Sequence, residues 1–293
     1  MNSLTHVHGD NRVEAAAVET HRQRRFDLGT HDGLNLAAIT PLILTFDEAP
    51  NIRATVEALD WAEQVVVIDS GSTDETLEIL DGFPNVVVIS RAFDNHTNQW
   101  NFGLKQVDTE WVLTLDADYY CPPEFRDEIS MLDGAFDVYR ANFQYNVLGR
   151  PLRATLYPPR AVLFRTDQFR CRPDGHTQRL DTRDVDLGML STRIIHDDRK
   201  PLTAWLKAQV NYAFLEAEKL GASNKSSLSW KDSIRRKIFL AAPLTLVYCL
   251  IYRRLIFDGW RGVYYSLQRT YAELLLSLVL VDEWIRAQFA PKD

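Results

Sequence analysis

Along the first 120 positions, short apolar runs alternate with stretches of helical spacing. Pro41-Leu-Ile-Leu-Thr-Phe46 predicts a strand. Asp47 is placed to cap the next helix, and Glu48 to Leu59 sets Ile52, Val56 and Leu59 on one side of it. Gln64 to Asp69 predicts a second strand of the fully buried kind, ending in an acid and the turn Ser70 to Asp74. The cycle then repeats: a short helix over Thr73 to Leu80, a third buried strand over Asn85 to Ile89, a helix over Asn95 to Val107 and a fourth strand over Trp111 to Leu115. Parallel-type strands alternating with helices of this length predict a doubly wound α/β sheet with right-handed crossovers.

After Pro122 the pattern changes. Phe136 to Tyr145 and Arg160 to Arg165 alternate like strands with one exposed face and flank the Gly149-Arg-Pro turn, which predicts an antiparallel hairpin appended to the sheet. Ser191 to His196 is a further short strand. From Pro201 the spacing is helical through Leu220, and two more helices come after a polar linker over Gly221 to Ser229. Residues 1 to 34 show no sustained period and predict a mobile tail, so the expected division is a tail, a catalytic domain over 35 to 200 and a helical region over 201 to 293. Three histidines in the tail, His6, His8 and His31, have no ligand cluster beside them.

Composition changes this picture in two places. Three scattered cysteines, Cys121, Cys171 and Cys249, fit neither a metal pattern nor a disulfide framework and point to a reducing, cytoplasmic setting. The formal charge of −7 argues against a nucleic-acid-binding surface, yet it is uneven. Residues 230 to 262 hold seven Lys or Arg against two Asp, a local +5 that leaves −12 for the rest. These basic residues bracket Ile238 to Tyr252, an uncharged run of 15 residues containing Pro243. That run is short for a membrane span and suits an interfacial or re-entrant helix docking on an anionic membrane surface. Leu274 to Val281 is a second apolar run.

The chemistry concentrates where the fourth strand ends, at Asp116-Ala-Asp118. Two carboxylates that close repel unless a cation lies between them, and a hard ion such as Mg²⁺ or Mn²⁺ takes oxygen ligands while leaving positions open for phosphate. Asp-x-Asp alone carries little weight, since a second one, Asp184-Val-Asp186, stands elsewhere in the chain. Its place at a strand's carboxyl end, where open α/β sheets gather ligands, is the informative part. Asp69 ends the second strand with an acceptor suited to the N–H of a base or the hydroxyls of a ribose, or else to capping its own turn with Ser72 and Thr73. Phe46 either offers a flat face to a base or packs in the core.

Leu44-Thr-Phe-Asp-Glu-Ala-Pro-Asn51, Val67-Ile-Asp-Ser-Gly-Ser-Thr-Asp-Glu-Thr76 and Asp116-Ala-Asp118 together resemble the inverting GT-A glycosyltransferases of family 2. Asn98-Gln-Trp-Asn101 and Trp111 are similar to the branch that builds bacterial lipopolysaccharide inner core. The resemblance implies a GT-A fold: a Rossmann-like, mostly parallel sheet with helices on both faces, here with the hairpin and the C-terminal helical extension added. It implies transfer of a hexose from a nucleotide sugar, UDP-linked, onto a lipopolysaccharide-type or lipid-linked acceptor at the inner face of the cytoplasmic membrane. Thr45, Phe46, Glu48, Asp69, Asn101 and Asp116 would then line the nucleotide, with Asp118 and His196 on an Mn²⁺ or Mg²⁺ ion. The base that takes the acceptor proton would be Asp174 or His176, in place of the His-Glu of the related branch. The chain departs from its relatives at Trp100, where they carry a basic residue, and at Tyr119, where they carry Glu. A polyprenyl-phosphate glycosyltransferase would use the same donor site, and a nucleotide-binding scaffold without turnover is the third reading.

Overall fold

The computed structural model describes residues 33–174, 177–182, 185–222, 234–235 and 240–289. The N-terminal tail up to residue 32, with His6, His8 and His31, lies outside the described residues, as does His176.

Four parallel strands form the centre as the apolar runs predict: β1 (Ile39–Thr45), β2 (Val65–Asp69), β3 (Val86–Ser90) and β4 (Trp111–Asp116). Helices α1 (Ile52–Glu57), α2 (Thr76–Asp81) and α3 (His96–Leu104) connect them. Next come β5 (Tyr119–Tyr120), α4 (Pro123–Ser130), β6 (Val138–Ala141), β7 (Phe143–Val147), β8 (Arg150–Pro151) and β9 (Arg160–Arg165). The chain continues through β10 (Cys171–Asp174), β11 (Thr177–Leu180), β12 (Leu187–Met189), β13 (Ile194–His196) and α5 (Leu202–Ala222). It ends in α6 (Ala241–Val247), a π-helical turn over Tyr248–Tyr252, a 3-10 turn over Leu255–Asp258 and the long α7 (Trp260–Phe289).

The main sheet has the order β12-β6-β9-β4-β1-β2-β3, parallel except for β9, which runs antiparallel to both β4 and β6. Its two faces are filled by separate apolar clusters, one around Ile43, Val67, Leu113 and Phe125, the other around Leu42, Ile68, Trp100 and Phe164. Side chains on a strand alternate between faces, so strands that are apolar at every position must be covered on both.

Three expectations are corrected. Asp47 does not cap α1: its φ is +51°, and its carboxylate accepts from Thr73 N at 2.8 Å, so the helix starts later, at Ile52. β3 is an edge strand with Val87 and Val88 exposed, not a fully buried one, because no strand pairs with it on its outer side. Arg160–Arg165 does not pair across the Gly149 turn. It enters the main sheet between β4 and β6, and the turn instead joins β7 to β8.

A second sheet, β5-β13-β7-β8, stands against the carboxyl end of β4. There β13 lies between β5, antiparallel, with His196 opposite Tyr119, and β7, parallel, with His196 opposite Tyr145. This register decides where His196 points. The C-terminal helices pack onto the same region: Tyr265 of α7 packs on Tyr145 at 4.8 Å, and its hydroxyl accepts from Leu156 N at 2.8 Å. Pro243 falls in the first turn of α6, where the missing N–H costs no helical hydrogen bond. No helix among the described residues is long and apolar enough to cross a membrane.

Candidate active site at the carboxyl end of the sheet

Asp118 sits one residue before β5, and its Oδ2 lies 3.0 Å from His196 Nε2. The structure thus joins the two residues expected at a metal across 78 positions of chain. Both are largely buried, with 14% of the Asp118 side chain and 13% of the His196 side chain exposed. Burial alone would push the Asp118 carboxyl up and the His196 imidazole down, but each holds the other's charge. The Asp118 carboxyl ends below its ordinary value, and the imidazole ends above its own. Three tyrosine rings, Tyr119, Tyr145 and Tyr157, stand 5.3, 4.7 and 5.1 Å from the imidazole and shield the pair from water. Tyr119 therefore takes a structural place here, and the Glu of the relatives has no counterpart.

The pair fits a hard divalent ion. One carboxylate oxygen and one imidazole nitrogen 3.0 Å apart match the spacing of neighbouring ligand atoms around an ion with bonds of about 2.1 Å. His196 Nδ1 is buried with no hydrogen-bond partner among the described residues, so the Asp118 contact at Nε2 and the surrounding rings fix the imidazole's orientation. No third His, Cys, Asp or Glu among the described residues completes a cluster, which leaves most of an ion's positions to phosphate and water.

Charges of both signs surround the pair. Arg160 of β9 lies 4.0 Å from Asp116 and stacks over Tyr157 at 4.7 Å. Lys200 bonds Glu48, whose other oxygen accepts from Asn51 Nδ2 at 2.8 Å. Asn51 also reaches Asp198 at 3.2 Å. Burial, together with the field of Asp118, pushes Glu48 up to about 7, and Lys200 and Asn51 only partly oppose the rise. The Tyr212 hydroxyl of α5 is raised by burial and by the charges of Asp116 and Asp118.

The residues expected beside a nucleotide form a lattice between the β1 and β2 ends. Asp69, 1% exposed, accepts from Gly71 N at 2.8 Å, Ser72 N at 3.0 Å and Ser72 Oγ at 2.5 Å. Ser72 Oγ in turn accepts from Asp47 N at 3.0 Å. Asp69 thus caps its own turn, and what it offers a nucleotide is the shape of that turn. Phe46 is outside the core, 54% exposed, and Thr45 Oγ1 is buried without a partner among the described residues. Replacing Asp69 with Ala is expected to leave two backbone donors unpaired, loosen the Ser70–Thr73 turn and weaken UDP binding by roughly 1 to 3 kcal/mol. Calorimetry with an unchanged dissociation constant would show that the turn does not touch the nucleotide.

Other expected site residues are placed elsewhere. Asn101 is occupied at both ends by the Cys171 backbone, donating to its carbonyl at 2.9 Å and accepting from its N–H at 2.8 Å. In the structure these bonds anchor β10. Asp174 pairs with Lys219 at 2.6 Å and with Arg179 at 3.2 Å, on the separate β10-β11 ribbon. Trp100 is core, so the diphosphate contact of the basic residue found in relatives is missing at that position. Sequence patterns did not single out Arg160, Tyr145, Tyr157 or Tyr212. Lys200 carried a signal, in the polar run His196-Asp-Asp-Arg-Lys200.

The family model described as Glycosyl transferase family 2 matches residues 42–148. An uncharacterized glycosyltransferase of Rickettsia bellii is 30% identical over 95 residues, covering 32% of each chain. The lipopolysaccharide core biosynthesis glycosyltransferase LpsC of Rhizobium meliloti is 25% identical over 104 residues, 34% of this chain and 38% of that one. The match thus spans about a third of the length of these curated relatives. Among solved structures, the mannosyltransferase PcManGT of Pyrobaculum calidifontis, in complex with GDP-Man and Mn²⁺, aligns at 13% identity over 96% of each chain with a TM-score of 0.48. Staphylococcus aureus TarS 1-349 with UDP aligns at 14% identity over 87% of this chain and 93% of that one, with a TM-score of 0.43.

Proposed function

We propose that this chain, which carries a family 2 glycosyltransferase domain over residues 42–148, transfers a hexose with inversion from a UDP sugar to a lipopolysaccharide-type or lipid-linked acceptor. Transfer would take place at the inner face of the cytoplasmic membrane. The observation that carries the reading is the Asp118–His196 pair at the carboxyl end of the central strand, with Asp116, Arg160 and Lys200 beside it. Asp118 and His196 would hold a divalent ion, Mn²⁺ or Mg²⁺, which when bound would supply Lewis-acid charge to the leaving diphosphate.

The chain's own residues do the rest. Phe46 offers its exposed face to the base, and the Asp69-capped turn shapes the pocket for the ribose. Arg160 is the cation nearest Asp116, and its stacking on Tyr157 aims it at the carboxylates and fixes positive charge where the diphosphate is released. The acceptor hydroxyl attacks the anomeric carbon from the face opposite the diphosphate. The new C–O bond forms as the bond to the diphosphate breaks, and that bonding pair leaves with the phosphate. The acceptor proton passes to a base, for which Asp174 and His176 stay the proposal. Lys219 and Arg179 orient Asp174. The expected basic flank of the apolar run is partly spent: Arg235 pairs with Glu273 at 2.6 Å, while Arg236 and Lys237 lie outside the described residues. Arg253 and Arg254 stay on the membrane side.

A panel of sugar nucleotides tested by thermal shift with and without Mn²⁺ checks the reading. A ligand that binds only the folded chain raises its melting temperature by mass action, and a UDP sugar is expected to raise it most when Mn²⁺ is present. A panel in which no sugar nucleotide shifts the midpoint, with or without the ion, overturns it.

A further inference from the structure

Beyond the donor site, two half-buried arginines of the C-terminal helical region, Arg253 and Arg269, have no carboxylate partner among the described residues. Arg269 of α7 lies over the rings of Tyr145 and Tyr265, at 6.0 and 5.2 Å, and Arg253 comes just after the π-helical turn and donates to Thr155 O at 2.8 Å. The Nε atoms of both are buried without a hydrogen-bond partner among the described residues, and neither arginine has a carboxylate within ion-pair distance there. The one acid close by, Asp258, is committed to Arg153, accepting from its N at 3.1 Å and its Nε at 2.9 Å. The two are linked through Thr155 and Tyr265: Thr155, whose carbonyl takes the Arg253 bond, has its Oγ1 3.1 Å from the hydroxyl of Tyr265, the ring beneath Arg269.

Taking a guanidinium out of water costs several kcal/mol unless an anion or a full set of acceptors replaces the water. Two such groups converge here with donors to spare. Arginine's planar fork matches a phosphate through two parallel hydrogen bonds. The surroundings indicate what carries the phosphate: Ile251, Tyr252, Ile256, Phe257 and Trp260 are all exposed, apolar and adjacent in sequence to Arg253 or to the start of α7. The position matters as well, because Tyr145, which receives Arg269 on one side, meets the His196 ring at 4.7 Å on the other. One aromatic ring therefore lies between Arg269 and His196 of the candidate metal pair.

We infer that Arg253 and Arg269 form a site for the phosphate of an amphiphilic lipid, with the exposed apolar side chains receiving its chains. The site holds the acceptor at the edge of the donor pocket. The assignment of this lipid as acceptor rests on the glycosyltransferase reading, whereas the phosphate site itself does not.

The test is calorimetry on the full chain with dihexanoyl phosphatidic acid below its micelle concentration, alongside dihexanoylglycerol and inorganic phosphate. Phosphatidic acid is expected to bind at least tenfold more tightly than either control. Arg253→Gln and Arg269→Gln are each expected to weaken it at least tenfold, while the melting temperature and UDP affinity report that the fold is intact. Where Arg269→Gln does not fold, Arg253→Gln and Arg269→Lys carry the test. Equal binding of dihexanoylglycerol, or phosphatidic acid affinity unchanged in the variants, overturns the phosphate site. Equal binding of inorganic phosphate assigns it to a free anion and overturns the lipid. Loss of UDP binding by the wild-type chain counts against the donor reading alone, so the two failures are distinguishable.

Discussion

Asp118→Asn is expected to lower sugar transfer by about three orders of magnitude while leaving the fold intact. The amide keeps the volume and can still accept from His196, but it removes the negative charge that Asp118 and His196 now balance between them. A lost Lewis-acid site is worth several kcal/mol of transition-state stabilisation, and each 1.36 kcal/mol is tenfold in rate. The variant should also lose any Mn²⁺-dependent rise in melting temperature. Transfer at the wild-type rate in Asp118→Asn, or wild-type transfer undiminished by excess EDTA, would remove the metal from the scheme.

The second large effect concerns Lys200, and it is an effect on stability. Lys200 is the cation bonded to buried Glu48, and removing one partner of a buried pair typically costs 3 to 5 kcal/mol. Lys200 is itself partly exposed, so about 2 to 3 kcal/mol is expected for Lys200→Met at pH 8. Glu48 sets the sign of the pH dependence. Its folded value is raised from 4.5 to about 7, so its protonated form is the one that folding favours. Stability from this group is fully present below pH 4.5 and is lost as pH rises toward 7. Without Lys200 the carboxyl rises further, and the loss extends beyond pH 7. Denaturant melts of Lys200→Met should therefore show a small deficit at pH 5 and a larger one at pH 8, and adding Glu48→Gln should recover most of it. A deficit independent of pH would mean that Lys200 acts through packing alone.

The parallel core was legible because its signal is local. Val65 to Ile68 and Trp111 to Leu115 are apolar at nearly every position, and strands buried on both faces read that way with or without their neighbours. Asp118 was legible for the same reason, in the polar break that ends such a run. Apart from His196, the half of the site that comes from later segments was not, since its residues owe their positions to register between distant strands. Nothing in Tyr145, Tyr157 or Arg160 announces that they converge on His196 and Asp116, and the alternation of β9 fits a hairpin as well as an antiparallel insertion. Asn101 misled because its place in a motif says nothing of the Cys171 backbone that consumes its amide. The raised pKa of Glu48 was not legible either, since it comes from burial and from the field of Asp118, 70 residues away, against the opposing charge of Lys200, 152 residues away.

The register of β13 also bears on the order in which the protein assembles. Asp118 lies two residues past β4, whose parallel neighbour β1 comes early in the chain, while His196 arrives on a strand slotted between β5 and β7 after a long excursion. Closing that loop costs entropy that grows only with the logarithm of its length, but it delays the contact, as non-local pairings generally do in folding. The Rossmann-like half can therefore form while the metal pair is still open, and β13 docking is the late event. An ion bridging the two segments would act as a clasp on that last step, slowing unfolding more than it speeds folding.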